Sequence, residues 1–136
     1  MSTRSSFSGN AWLLQRITGV GLIVLLGFHF AVEHFIMGAA NITAENTEAR
    51  LSEGVINADH ILNVSINIPA FVYQATALLL LGFAVYHGMY GTFNVIREQG
   101  VSEGTEKGLK AFFTLLGAAL IVQGFLIFIA FTGGGT

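Results

Sequence analysis

The 136 residues include no cysteine and a single proline, Pro69, and only 10% of them are charged. Without cysteine the chain cannot ligate an iron–sulfur cluster through thiolates, use a thiol nucleophile or hold a disulfide. The 17 glycines form no nucleotide or flavin fingerprint, and no phosphate loop is present. Neither a repeat of 20–50 residues nor a low-complexity tract is visible. A soluble domain carries about 25% charged residues, so so little charge already points to lipid.

What the sequence does contain is apolar: 53% hydrophobic residues and a mean hydropathy of +0.68. Three stretches, about 11–37, 68–96 and 109–131, are long enough to cross a ~30 Å hydrocarbon core as helices. The expectation is an all-α membrane protein, a single three-helix unit occupying residues 1–136. The N-terminal segment leads into an apolar run longer than a signal-peptide core, with no persuasive cleavage site, and is expected to be retained. Asn67 and Pro69 suit the start of the second helix, Asn67 as a cap and Pro69 in the first turn. In the connection between the first two spans, Thr43 to Glu53 followed by Gly54 reads as a short capped surface helix. His60 reads as a solvated loop histidine.

Charge gives an orientation. Arg4, Arg16, Arg97, Lys107 and Lys110 fall on one side of the three-helix hairpin, and only Arg50 falls on the other, among Glu45, Glu48, Glu53 and Asp59. The positive-inside rule then places the N-terminus and the second connection in the cytoplasm and the C-terminus outside. The chain is expected in a prokaryotic cytoplasmic membrane, in contact with lipid and with no nucleic-acid partner.

Chemistry concentrates in a few side chains. The stretch Ala84 to Gly91, AVYHGMYG, places His87 inside the second span, about the middle of it. An ionisable ring there is costly without a partner and is a functional hypothesis in its own right. Ala84 and Gly91 share its face at helical spacing, and Gly88 removes another side chain beside it. An imidazole on a face with little bulk suits the axial position of a haem iron. The alternative is a histidine hydrogen-bonded to a neighbouring helix, with Ala84 and Gly88 as a small-residue packing motif. In the first span, Trp12 is an interface anchor by type, and Arg16 follows one turn later. Arg16 either snorkels to the headgroups or, paired with Trp12, flanks a pocket for a carbonyl-bearing amphiphile such as a quinone. His29 is a second candidate metal ligand, while Glu33 and His34 read as hydrated groups at the outer boundary or as partners of a ligand. Measured from Arg16 and Arg97, His29 and His87 differ in depth by only about 5 Å, which leaves open one haem gripped by both. The third span holds no titratable residue in its interior, and Gly117, Ala118 and Gly124 suit close packing.

The combination resembles the membrane anchors of succinate:quinone oxidoreductases and fumarate reductases (complex II). The residues that carry the resemblance are Gln15-Arg16-Ile17-Thr18-Gly19 opening the first of three spans, His29 thirteen residues after Arg16, and His87-xxx-Gly91 in the second. The motifs are short, but their combination covers nearly the whole chain. Gln15, Trp12 and Gln99 depart from residues common at those positions and make the chain look more like the smaller, D-type cytochrome b anchor. The resemblance implies half of a haem-binding helical bundle, with one or two haem b groups shared with a second membrane-anchor subunit. His87 then ligates the haem nearer the cytoplasm, and His29 an outer one. Arg16, with Trp12 and Gly91 nearby, flanks a quinone site. An iron–sulfur subunit and a flavoprotein subunit that oxidises succinate, as in the tricarboxylic acid cycle, complete the assembly. The succinate chemistry lies outside this chain. Two other readings stand beside this one: a b-type cytochrome anchor of another quinone-coupled dehydrogenase, and a haem-free packing or transport component.

Overall fold

The computed structural model describes residues 9–36, 38–53 and 69–133, and in these every regular element is helical. Helix α1 spans Gly9–Phe30 and continues into a π-helical stretch, Ala31–Ile36; a 3₁₀ turn at Ala39–Asn41 leads to the short helix α2, Ala44–Glu53. Helix α3 is Ala70–Glu98 and α4 is Glu103–Gly133. Three helices, Gly9–Phe35, Ala70–Glu98 and Glu103–Thr132, are long and apolar enough to cross a membrane. The expected all-α architecture with three candidate spans is therefore present.

Local chemistry sets the boundaries. Thr43 caps α2 as expected, its hydroxyl accepting the Asn46 backbone N–H at 3.2 Å. Ser102 caps α4 by accepting the Thr105 N–H at 3.3 Å. Gly100, at φ 82°, takes the left-handed conformation that ends α3. Pro69 precedes α3 as its N-cap residue, one position before the expected first turn. The first connection folds as predicted over Ala44–Glu53, whereas Gly54, Asp59, His60 and Asn67 lie outside the described residues.

Helix α3 is central. It runs antiparallel to α1 on one side and to α4 on the other, and α2 closes one end against α3 and α4. The interior is thin: Val32, Leu51, Tyr73 and Phe93 are the buried hydrophobic residues among those described. Large apolar side chains face outward along α1 and α4, with Ile23 75% and Leu115 71% exposed. Such helices require lipid or partner helices around them, because water would meet an apolar surface far larger than a soluble monomer leaves open.

Trp12, near the start of α1, and Glu33, in its π-helical continuation, are 21 residues apart, about 31 Å at helical rise. That distance matches the hydrocarbon thickness of ~30 Å.

Candidate functional site

The α1–α3 contact is built over small residues on α1. A Cβ on Gly19 would stand 3.0 Å from Cε1 of His87, so the imidazole lies directly on the α1 backbone. His87 Nδ1 is 3.1 Å from the Gln15 carbonyl oxygen and 3.3 Å from the Thr18 hydroxyl. A carbonyl can only accept, so Nδ1 carries the hydrogen and donates it. The Thr18 hydroxyl donates in turn to the Leu14 carbonyl at 2.8 Å, which turns its lone pairs toward the ring. Thr18 is 2% exposed, so this contact is sheltered from solvent. Gln15 returns the connection, its side-chain amide donating to the His87 carbonyl at 3.2 Å. With Nδ1 protonated, the neutral ring keeps its free lone pair on Nε2.

The face expected around His87 divides in two. Gly91 turns with His87 toward α1, where a Cβ would come within 2.9 Å of the Gln15 amide nitrogen. Ala84 is exposed, and a Cβ on Gly88 would meet no atom within 4 Å. The small-residue pair Ala84 and Gly88 therefore packs on nothing described within the chain and opens to the outside.

Depth separates the two histidines. His87 is level with Thr18, eleven residues before His29 on α1, so the rings stand about 16 Å apart along the bundle. His29 lies instead near Tyr73, with ring centroids 5.2 Å apart. The shallow 5 Å difference expected from the two arginines does not hold, because Arg16 and Arg97 are not level. Helix α3 runs about two turns beyond the level of Arg16 before it reaches Arg97. One haem held by both histidines of this chain is excluded by that separation. His87 is about 4.5 Å from the midpoint of its span, Ala70–Glu98, near the middle as expected, and about 9 Å below the level of Trp12.

Trp12 and Arg16 meet as expected. The guanidinium carbon of Arg16 lies 3.7 Å from the Trp12 ring centroid. The cation reaches back one turn toward the start of α1 and lies over the indole. In the same half of the bundle Gln15 Oε1 and Asn94 Oδ1 are buried acceptors with no hydrogen-bond donor.

At the opposite end lies a cluster that the sequence did not announce. Arg50, 2% exposed, pairs with Glu33 Oε2, while Tyr73 donates its hydroxyl to Glu33 Oε1. The Arg50 Nε–H also donates to the Asn46 carbonyl at 2.7 Å, and the Gln74 amide donates to the Leu51 carbonyl. Glu33 is thus a paired carboxylate holding α2 to the bundle, not a hydrated boundary group. The π-helical stretch that begins at Ala31 contains this glutamate, and such local widening is frequent at functional sites. His34, by contrast, is exposed and stacks on Phe30 with centroids 4.2 Å apart. His29 Nε2 is buried and has no hydrogen-bond partner, with Phe28 edge-on to the ring at 5.8 Å. Arg50 was the single positive residue on its side of the hairpin, and that isolation was the available signal. Thr18, one turn from Gln15, gave no signal of its own.

Comparison with protein-family models, with characterised proteins and with solved structures finds no significant match to this chain.

Proposed function

We propose that this chain is a haem-bearing membrane anchor of a quinone-reducing dehydrogenase complex, of the succinate:quinone oxidoreductase type. The observation that carries the reading is the state of His87. Its Nδ1–H is committed to the Gln15 carbonyl and the Thr18 hydroxyl, which leaves Nε2 as the electron-pair donor. Metal-ligating histidines are held in this way, by a carbonyl or carboxylate on the nitrogen remote from the metal. The residues therefore fit a haem iron: His87 would hold it through Nε2, and Gly19, with no side chain of its own, leaves room for the edge of the ring against α1. His29 Nε2, an enclosed ring nitrogen without a hydrogen-bond partner, remains the candidate for a second haem. Since the two rings stand about 16 Å apart, each needs its opposing ligand from another chain, which supports a second membrane-anchor subunit.

When bound, haem supplies a one-electron store in a low-dielectric surround. The chain's own contribution is positional: α1 and α3 fix the His87 ring, and apolar side chains exclude water. Near the same end, the Trp12–Arg16 pair and the unpaired acceptors Gln15 Oε1 and Asn94 Oδ1 offer a cation and two hydrogen-bond acceptors to a quinone or quinol. Electrons would come from an iron–sulfur subunit served by a flavoprotein, in a prokaryotic cytoplasmic membrane with the Trp12 end inward.

The test is purification of the complex followed by a reduced-minus-oxidised spectrum. A b-type signal lost in His87→Ala, with flavin and iron–sulfur subunits co-purifying, is expected. A haem-free complex would instead favour the packing reading, for which the His87 hydrogen bonds to α1 are already sufficient.

A further inference from the structure

The α3–α4 face carries a second feature, independent of the histidines. A cleft of about 400 Å³ lies between the two helices, with Tyr86, Met89 and Phe93 on one wall and Phe113, Gly117 and Ile121 on the other. Its lining is almost wholly apolar except at one end, where Lys110 stands. Lys110 to Ile121 is eleven residues of α4, so the cleft runs about 16 Å along the helix. One leaflet of a ~30 Å hydrocarbon core is about 15 Å deep. Lys110 is also near the level of Trp12, at the membrane boundary, because Gly117 packs level with Val85 and Met89 just as Thr18 packs level with His87. The cleft thus begins at headgroup level and ends near the midplane.

Charge identifies the occupant. Among the described residues Arg97 faces Glu106 at 3.9 Å and Lys107 pairs with Glu103 at 2.8 Å, whereas Lys110 makes no ion pair. A single ammonium above an apolar slot one leaflet deep is complementary to one anionic headgroup above one acyl chain. Basic groups between membrane helices on the inner side bind such lipids. We propose that the α3–α4 cleft is a binding site for an anionic phospholipid, with its phosphate at Lys110 and one acyl chain along Phe113, Gly117 and Ile121.

The full-length chain, reconstituted in phosphatidylcholine vesicles, can be tested with trace spin-labelled phosphatidylglycerol or spin-labelled phosphatidylcholine. The motionally restricted fraction measures association. One lysine near the surface corresponds to a preference of about fivefold for the anionic label. Lys110→Gln should bring that ratio close to one, and Lys110→Arg should keep it. Ala118→Phe, which fills the cleft wall, should remove about one restricted lipid per chain for both labels. Equal association of the two labels with the unmodified chain would overturn the proposal, as would an unchanged ratio in Lys110→Gln. Displacement of the restricted lipid by added isoprenoid quinone, one for one, would assign the cleft to a quinone tail and overturn it as well. Lys110 is exposed, so its variants leave the helix packing intact, and circular dichroism checks this directly.

Discussion

His87 and Thr18 meet across the α1–α3 contact, Nδ1 to hydroxyl oxygen at 3.3 Å, with the Gln15 carbonyl at 3.1 Å from the same nitrogen. This relationship fixes the register of the two helices and the tautomer of the ring together. It also makes a polar contact that is worth more than packing if Nε2 has a metal to hold.

Thr18→Val keeps the shape of the side chain and removes the hydroxyl. Loss of its bond to His87, together with the bond to the Leu14 carbonyl, should cost about 1–2 kcal/mol of stability. If Thr18 also orients a haem ligand, haem affinity should fall by about tenfold, the lower end for groups that support metal ligands. Titration of haem into the apo-complex measures this, and unchanged affinity would confine Thr18 to packing.

His87→Ala should abolish the b-type signal assigned to that ring, while His29→Ala leaves it in place. The two rings are separated by about 16 Å along the bundle, too far for one macrocycle to span between them as axial ligands. Loss of the same signal in both variants would contradict the register of α1 on α3.

Arg50→Met should release α2 from the end of the bundle. Removing one partner of a buried ion pair typically costs about 3–5 kcal/mol, because the remaining carboxylate stays enclosed. The double variant Glu33→Gln with Arg50→Met should recover part of that loss, and the difference measures the pair. Apparent melting temperature in detergent and protease cleavage within Ala44–Glu53 report the two effects. A single Arg50 variant as stable as the parent would show that the pair holds nothing.

Two glycines of α3 should respond in opposite directions. Gly91→Ala brings a methyl to 2.9 Å from the Gln15 amide nitrogen, the flexible end of that side chain, which must swing away and give up its bond to the His87 carbonyl, so the cost should be about 1 kcal/mol. Gly88→Ala meets nothing within 4 Å and should be neutral or gain up to about 1 kcal/mol from helix propensity. If instead Gly88→Ala impairs assembly with a partner while leaving the isolated chain stable, its open face is where that partner packs. Thermal unfolding of the chain and recovery of the complex distinguish these outcomes.

Much of this was written in the residue pattern. Three apolar runs of sufficient length, scarce charge and the absence of cysteine were enough for an all-α fold with three candidate spans. The pairing of Trp12 with Arg16 followed from i, i+4 spacing, since both belong to one helix. Thr43 as the start of α2 followed from side-chain capping chemistry. These are local properties, decided within a turn or two of helix.

Relations between helices were decided only by the tertiary structure. Whether His87 faces a partner, lipid or its own α1 depends on rotation about the helix axis, which an apolar run does not encode because its hydrophobic residues surround it on all sides. The relative depth of His29 and His87 depended on the axial register of α1 against α3, set where Gly19 and Gly91 allow the His87 ring and the Gln15 amide to enter. Arg50 read as a surface cation until α2 folded back and enclosed it against Glu33 and Tyr73. Composition fixed the solvent this chain requires, and local spacing fixed its helices. The close approach of small residues and the pairing of buried polar groups across helices fixed which side chains meet.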